Sequence, residues 1–256
     1  MRQKLGQNFL IDKNIAQKIV QSLEVTTDDT VLEIGPGKGI LTELLLRKAK
    51  RVIAVEIDKK LCEDLRKKFQ YEKKLKIIND DFLKLNPYKR PLKFVSNLPF
   101  CSATAIMERM FKLWNWESAI FTFQKEVGER ILANPGTKRY GPLTLLVWFY
   151  SVAQKLFLIK RGCFYPVPRV DSMVVRFSPR KRVNLTEISE KFFKLAKISF
   201  STRRKTILNI LSLKVQIEKE TLRQILTKSG ISPDSRPEDI PPEKFLFFAI
   251  DFGKFI

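Results

Sequence analysis

The sequence predicts an α/β fold, a parallel sheet wound with helices on both faces, followed by a small all-helical C-terminal domain. Three observations predict it. Short β-branched runs alternate with amphipathic segments through the first hundred residues, in the order of successive βαβ units. Near residue 180 the stretch SPRKRVNL is polar, basic and aperiodic, as a domain boundary is. From about residue 184 the apolar spacing is helical throughout. With 256 residues, 44% of them hydrophobic and 29% charged, the chain can bury the core of one large domain, residues 1–180, and a smaller one, residues 181–256.

The first three strands are expected at Thr30–Ile34, Arg51–Glu56 and Leu75–Asn79. Ile40, Leu44 and Leu45 recur at helical spacing between the first two, and Leu61, Leu65 and Phe69 between the second and third. A fourth strand, Leu92–Ser96, runs directly into Asn97-Leu98-Pro99-Phe100, where proline stops it and forces an extended turn. Farther on, Ala119–Phe123 reads as a fifth strand, QKEVGERI as a helix, and Leu143–Leu158 as a mixture of helix and strand. A loop with two prolines then leads into an apolar strand, Met173–Phe177, expected to close the sheet as a hairpin. In the helical part Ile188, Phe192 and Leu195 form one face and Lys191, Lys194 and Lys197 another, while Gly230 with Pro233, Pro237, Pro241 and Pro242 punctuates the remaining helices.

Charge narrows the function. Lysine and arginine number 48 against 27 acidic residues, a net of +21, which fits a partner rich in phosphate; a basic surface kept for solubility is the alternative. From residue 179 onward the net charge is +7, leaving +14 for residues 1–178, so both parts are placed to grip a polyanion. The chain has no histidine, which removes serine–histidine triads, imidazole acid–base chemistry and imidazole metal sites. Cys62, Cys101 and Cys163 are far apart with no CxxC pair, so neither a zinc ribbon nor a disulfide framework is expected, and no metal. MRQKLGQNFLIDK has no apolar signal-like core, and the most apolar run, Leu143 to Ala153, is too short to span a bilayer. A cytoplasmic protein with no membrane partner is expected.

The glycines Gly35, Gly37 and Gly39 fall where the first strand turns into a helix, so the backbone can approach a bulky ligand. Their G-x-G-x-G spacing differs from the G-x-G-x-x-G of dinucleotide folds, which favours a nucleoside over a pyrophosphate. Glu56 ends the second strand nineteen residues after Gly37, where a carboxylate can accept from both ribose hydroxyls. Asp81 follows the third strand and can accept from an adenine amino group. Taken singly, either acid could instead cap a helix or sit solvated in a loop. Together with the glycines they suit S-adenosylmethionine, an adenosine without phosphate.

Asn97-Leu98-Pro99-Phe100 suits a target base. An exocyclic amine such as adenine N6 is a poor nucleophile because its lone pair is delocalised into the ring. If the Asn97 amide oxygen and a backbone carbonyl of the turn accept its two N–H bonds, the nitrogen can pyramidalise and expose that lone pair. Phe100 offers a stacking face for a base taken out of its helix or loop. A strand-ending turn with a core phenylalanine is the alternative.

These motifs, in order, resemble the small-subunit ribosomal RNA adenine dimethyltransferases of the KsgA type. Gly6-Gln7-Asn8-Phe9-Leu10 is similar to that family's amino-terminal cofactor motif, and EIGPGKG, VEID, NDDF and NLPF come after it. Beyond them come QKEVGERI, YGPLTLL, FYPVPRVDS from Phe164 to Ser172, FSTRRKT from Phe200 to Thr206, and SRPEDIPPEKF. The resemblance implies a Rossmann-like class I methyltransferase sheet and a small helical RNA-binding domain. The implied reaction uses S-adenosylmethionine to dimethylate N6 of two adjacent adenines in a hairpin loop near the 3′ end of small-subunit ribosomal RNA, with a role in small-subunit biogenesis. It places Asn8, Leu10, Gly35, Gly37, Glu56, Asp81 and Asn97 against the methyl donor, and Asn97 to Phe100 around the target base. Phe164 is implied as a second stacking face, although it can equally be a core residue under the proline loop. Arg203, Arg204 and Lys205 would bind RNA phosphates, with a solvated helix face as the alternative. The expected partner is the immature small ribosomal subunit, bound by a monomer. Phe100 stands where bacterial members of the family usually carry tyrosine; it keeps the π-surface and loses a hydroxyl. Two other functions compete: methylation of large-subunit ribosomal RNA, as in the macrolide-resistance family, and a ribosome-assembly factor whose catalysis is dispensable.

Overall fold

The computed structural model describes residues 8–98, 102–180, 185–202 and 204–252. The chain divides into two compact units, Met1–Gly128 with Ser151–Pro179 and Glu129–Tyr150 with Arg180–Ile256. In chain order the strands and α-helices are β1 (Phe9–Leu10), α1 (Lys13–Ser22), β2 (Thr30–Ile34), α2 (Ile40–Leu46), β3 (Arg51–Glu56), α3 (Lys59–Lys68), β4 (Leu75–Asn79), β5 (Leu92–Asn97), α4 (Ala103–Leu113) and β6 (Trp116–Gln124). They continue with α5 (Lys125–Ile131), α6 (Pro142–Tyr150), β7 (Ser151–Ile159), β8 (Phe164–Tyr165), β9 (Ser172–Pro179), α7 (Leu185–Ser199), α8 (Ile207–Lys214), α9 (Lys219–Lys228) and α10 (Pro242–Phe252).

The first unit is built on a seven-stranded sheet of order β4-β3-β2-β5-β6-β9-β7. The five strands from β4 to β6 are parallel, and β9 runs antiparallel to both β6 and β7. Alternation of side chains gives the sheet two apolar faces. Val31, Val52, Val95, Ile120 and Val174 face a core shared with Ile19 and Val20 of α1 and Leu41 and Leu45 of α2. The opposite face carries an aromatic layer in which Phe94 meets Trp114 and Phe82 edge-on, and Phe177 meets Phe111, Phe121 and Phe123. The expected class, a sheet covered by helices on both sides, is what forms. Asp12 and Asp58 start α1 and α3 by accepting two backbone N–H bonds each.

The sequence boundaries of β2, β3 and β4 match the structure. Asn97 differs in being the last strand residue of β5, opposite Thr122, and not the first of the turn. The hairpin of β7 and β9 also forms, but β9 enters between β6 and β7, so that β7 takes the sheet edge.

The break near residue 180 is where the second unit resumes, yet that unit also takes residues 129–150, which sequence alone assigns to the first domain. The reason lies in α6, which buries Leu143, Leu145, Leu146, Val147, Phe149 and Tyr150 and so is apolar nearly all round, as a helix inside a bundle is. Its Phe149 and Tyr150 rings pack on Phe192 and Phe193 of α7. Phe192 and Leu195 are buried and Lys194 and Lys197 exposed, as the periodicity of α7 requires. Among the described residues no helix is long and apolar enough to cross a membrane.

Gly128, within α5, approaches β9 closely: a Cβ there would lie 2.6 Å from Met173 Sδ and 2.9 Å from Met173 Cβ. Alanine would favour the helix by about 1 kcal/mol, but the second contact is an atom fixed to the strand backbone, and overpacking costs about 1–3 kcal/mol. Gly128→Ala is expected to lower stability by about 1 kcal/mol, read from the urea midpoint; an unchanged or raised midpoint would show that β9 yields.

Candidate active site

Strand order reverses around β2, since β3 lies on one side of it and β5 on the other. A crevice opens at the carboxyl ends of the strands at such a switch point. Here it is a cavity of about 270 Å³, within reach of small-ligand pockets. The parallel register makes the strands end level: Ile34 lies opposite Val55 and Ser96, and Glu56 opposite Asn79. The loops that leave them therefore converge on one space.

Asn8, Leu10, Gly35, Gly37, Glu56, Asp81, Asn97, Leu98 and Phe164 all line this cavity. Pro99, Phe100 and Arg203 lie outside the described residues. Arg204 and Lys205 are exposed residues of the second unit in the turn before α8, where Thr206 caps the helix; they do not form a helix face. Arg204 has φ +72°, in the left-handed region that non-glycine residues avoid.

Two glycines of the loop have different tasks. Gly35, at φ +66°, would point a Cβ into open space, so its bare face is a wall of the cavity. Gly37, at φ +55°, leaves room for the Phe9 ring, which a Cβ would meet at 2.8 Å. Its N–H donates to Glu56 Oε2 at 3.2 Å, while Asp58 N–H donates to Oε1 at 3.0 Å. Gly37 thus positions Glu56. The carboxylate is buried, and burial pushes its pKa up against the pull of these N–H bonds. Asp81 lines the cavity and also accepts from Leu83 N–H at 2.9 Å, so the loop-turn role and the cavity position coexist.

Asn97 Nδ2 donates to the Asn8 carbonyl at 3.0 Å. With the amide nitrogen committed there, the oxygen is the group left to accept. Leu98 is held by its own N–H, which donates to the Thr122 carbonyl at 3.3 Å. The β1–β8 pair, with Leu10 opposite Phe164, brings the amino-terminal motif to the same wall. Phe164 is only 2% exposed and belongs to the core cluster while also lining the cavity.

The model of the family described as ribosomal RNA adenine dimethylase matches residues 1–251. The chain belongs to that family. It is 41% identical over 254 residues to the ribosomal RNA small subunit methyltransferase A of Malacoplasma penetrans, covering 97% of this chain and 91% of the relative. Identity to the protein of the same name from Clostridium botulinum is 38% over 252 residues, covering 94% and 90%. Among solved structures it is similar to a dimethyladenosine transferase from Plasmodium falciparum, with a TM-score of 0.83 and 28% identity over 97% of this chain and all of that one. The 23S rRNA methyltransferase ErmE gives a TM-score of 0.74 and 27% identity over 96% of this chain and all of that one.

The cavity fits the methyl donor expected of such a family. Gly35 leaves an open face where any side chain would intrude, and each Glu56 oxygen has one backbone donor and a second acceptor position for a ribose hydroxyl. Asp81 and Asn97 add acceptors on other walls.

Glu33 carries no assignment from sequence, although it too lines the cavity. The signal is a carboxylate in the middle of an apolar strand, Thr30–Ile34. It is 1% exposed and accepts from Thr42 Oγ1 at 2.6 Å. Burial pushes its pKa up to about 7, with the Thr42 bond opposing and the Glu56 charge adding. Between the ordinary value of 4.5 and about 7 the folded protein holds a proton that the unfolded chain releases. Stability is therefore expected to fall as pH rises through this window. Glu33→Gln should flatten that slope and raise stability at pH 8 by at most about 3 kcal/mol, read from denaturant midpoints of the ligand-free protein; an unchanged slope would place the titration elsewhere.

Proposed function

We propose that the protein uses S-adenosylmethionine to dimethylate N6 of two adjacent adenines in a hairpin loop near the 3′ end of small-subunit ribosomal RNA, during assembly of the subunit in the cytoplasm. The observation that carries this reading is the Asn97 amide at the end of β5, its nitrogen tied to the Asn8 carbonyl, in the same cavity as Glu56, Asp81 and the open face of Gly35. The family and its small-subunit relatives support the substrate. The large-subunit alternative is not favoured: the relatives at 41% and 38% identity are small-subunit enzymes, and ErmE has a lower TM-score than the dimethyladenosine transferase.

When bound, S-adenosylmethionine supplies an electrophilic methyl carried on positively charged sulfur. Glu56 accepts from its ribose hydroxyls and Asp81 from its adenine amine, while Gly35 lets the backbone close on it. The chain's contribution at the target is electrostatic and orienting. Asn97 Oδ1 and a carbonyl of the turn that Leu98 begins accept the two N–H bonds of the base amine, drawing its lone pair out of conjugation. Phe164 offers the extruded base an aromatic wall. Arg204 and Lys205 of the second unit, with Arg203, bind phosphates and hold the subunit.

Labelled methyl transfer to undermethylated small subunits, with digestion to nucleosides, should yield N6,N6-dimethyladenosine; label appearing only in large-subunit RNA would overturn the assignment. Asn97→Ala is expected to cut kcat at least about a hundredfold, as loss of a transition-state hydrogen-bonding group does, while RNA affinity stays within about twofold. A fully active variant would remove Asn97 from the chemistry.

A further inference from the structure

The charge of the first unit is unevenly spread. Between Lys59 and Lys76 stand eight basic and three acidic residues, which supply +5 of the +14 found in residues 1–178. All eight basic residues are exposed. Helix α3 buries Cys62 and Leu65 against the sheet and leaves Lys59, Lys60, Arg66, Lys67 and Lys68 to solvent. The turn after it presents Tyr71, 87% exposed, and Lys73 and Lys74 lead into β4, one of the two edge strands, which adds Lys76. Among the described residues Lys67, Lys73 and Lys76 make no ion pair.

Lysines on an edge strand protect a sheet from pairing with another. That explains Lys76, but it explains neither the basic flank of α3 nor an aromatic ring held out in water between two basic runs. Phosphate-binding cations beside an exposed aromatic are the parts of a surface for unpaired nucleic acid: the charges track the backbone and the ring takes a base. The surface joins the active site at one end, because Lys68 Nζ donates to the carbonyl of Lys38, a residue of the cavity lining. Lys68 is the last residue of α3, and Tyr71, Lys73 and Lys76 follow it through the turn and into β4. A hairpin whose loop adenine fills the cavity has only paired stem to offer beyond the loop, and a paired stem has no free base for Tyr71.

We propose that the α3–β4 flank is a second RNA contact, in which Arg66, Lys67, Lys73 and Lys76 hold the phosphates of an unpaired ribosomal RNA segment outside the target hairpin and Tyr71 stacks on one of its bases. The proposal rests on the function given above and deepens it by assigning affinity for the particle to a surface away from the chemistry. It accounts for charge that the cavity does not use.

The test compares the full-length parent, Lys67→Gln/Lys73→Gln/Lys76→Gln and Tyr71→Ala on two substrates, an isolated target hairpin and undermethylated small subunits. On subunits the triple variant is expected to lose affinity with a salt slope shallower by about two, and Tyr71→Ala to lose roughly tenfold. On the hairpin both variants should match the parent in methyl-transfer rate. Ultraviolet crosslinking of the parent on subunits should join Tyr71 to a nucleotide outside the hairpin. Variants that bind subunits like the parent, variants that fail equally on the hairpin, or a Tyr71 crosslink to a ribosomal protein would each overturn the proposal. A parent that methylates neither substrate would instead overturn the proposed function, and subunit affinity would still report on the patch.

Discussion

Parallel strands that end level are the constraint on which the active site depends. A parallel pair hydrogen-bonds in even steps, so once Ile34 is set opposite Val55 and Ser96, the three strands end within one residue of one another. Reversal of strand order beside β2 then leaves a gap between the loops, because the next helices pack on opposite faces of the sheet. Within that gap the Gly37 N–H reaches Glu56, nineteen residues away in the chain, and ties the glycine loop to the end of β3. Asn97 makes the corresponding tie on the other side, to the Asn8 carbonyl. Each bond restrains a polar side chain whose burial would otherwise leave it disordered or without a partner.

The electrostatics of the cavity arise from its depth. Glu33 and Glu56 are both buried near the strand ends, burial raises both pKa values, and each charge makes the other less favourable. Such a pair suits an occupant that brings positive charge and hydroxyl donors, since both relieve the desolvated carboxylates. A pyrophosphate would add negative charge to the same walls. The spacing of the glycines points the same way for a different reason, the geometry of the turn, and the two arguments are independent.

Much of this is legible in the sequence where local rules act alone. Strands β2, β3 and β4 are β-branched runs bounded by turns and are readable to the residue, and the glycines and strand-end acids announce the cavity. The features that are not legible depend on long-range packing. Residues 129–150 join the second unit because α6 is apolar on nearly every side, a property that in sequence looks the same as a buried strand. The insertion of β9 between β6 and β7 is a choice of neighbour that periodicity does not encode. The two-residue pair of β1 and β8 has too little sequence to signal itself, yet it delivers Leu10 and Phe164 to the cavity. Gly37 reads in sequence as a ligand contact and does line the cavity, but that it also makes room for Phe9 is not legible, because the ring that fills its side lies in a motif about thirty residues earlier. Glu33 escapes notice because a carboxylate inside a strand is meaningful only once both faces of the sheet are seen to be covered.

In the proposed function the cavity takes one nucleoside and one base, which cannot by itself supply the free energy to unstack that base and to select one loop in a ribosomal subunit. Unstacking costs a few kcal/mol, and the interactions that offset it must be made elsewhere on the RNA and must not depend on the reacting atoms. Phosphate contacts meet that requirement, since each is weak, additive and indifferent to sequence. A net charge of +21 divided over both units is therefore a consequence of the chemistry: the smaller and more exacting the reacting site, the more of the affinity has to come from distant cations. The same division explains how an active site can work without histidine. Orientation of a neutral amine by fixed acceptors requires no proton-transfer group poised near neutrality, so the burden of catalysis shifts from acid–base chemistry to the holding of the substrate in place.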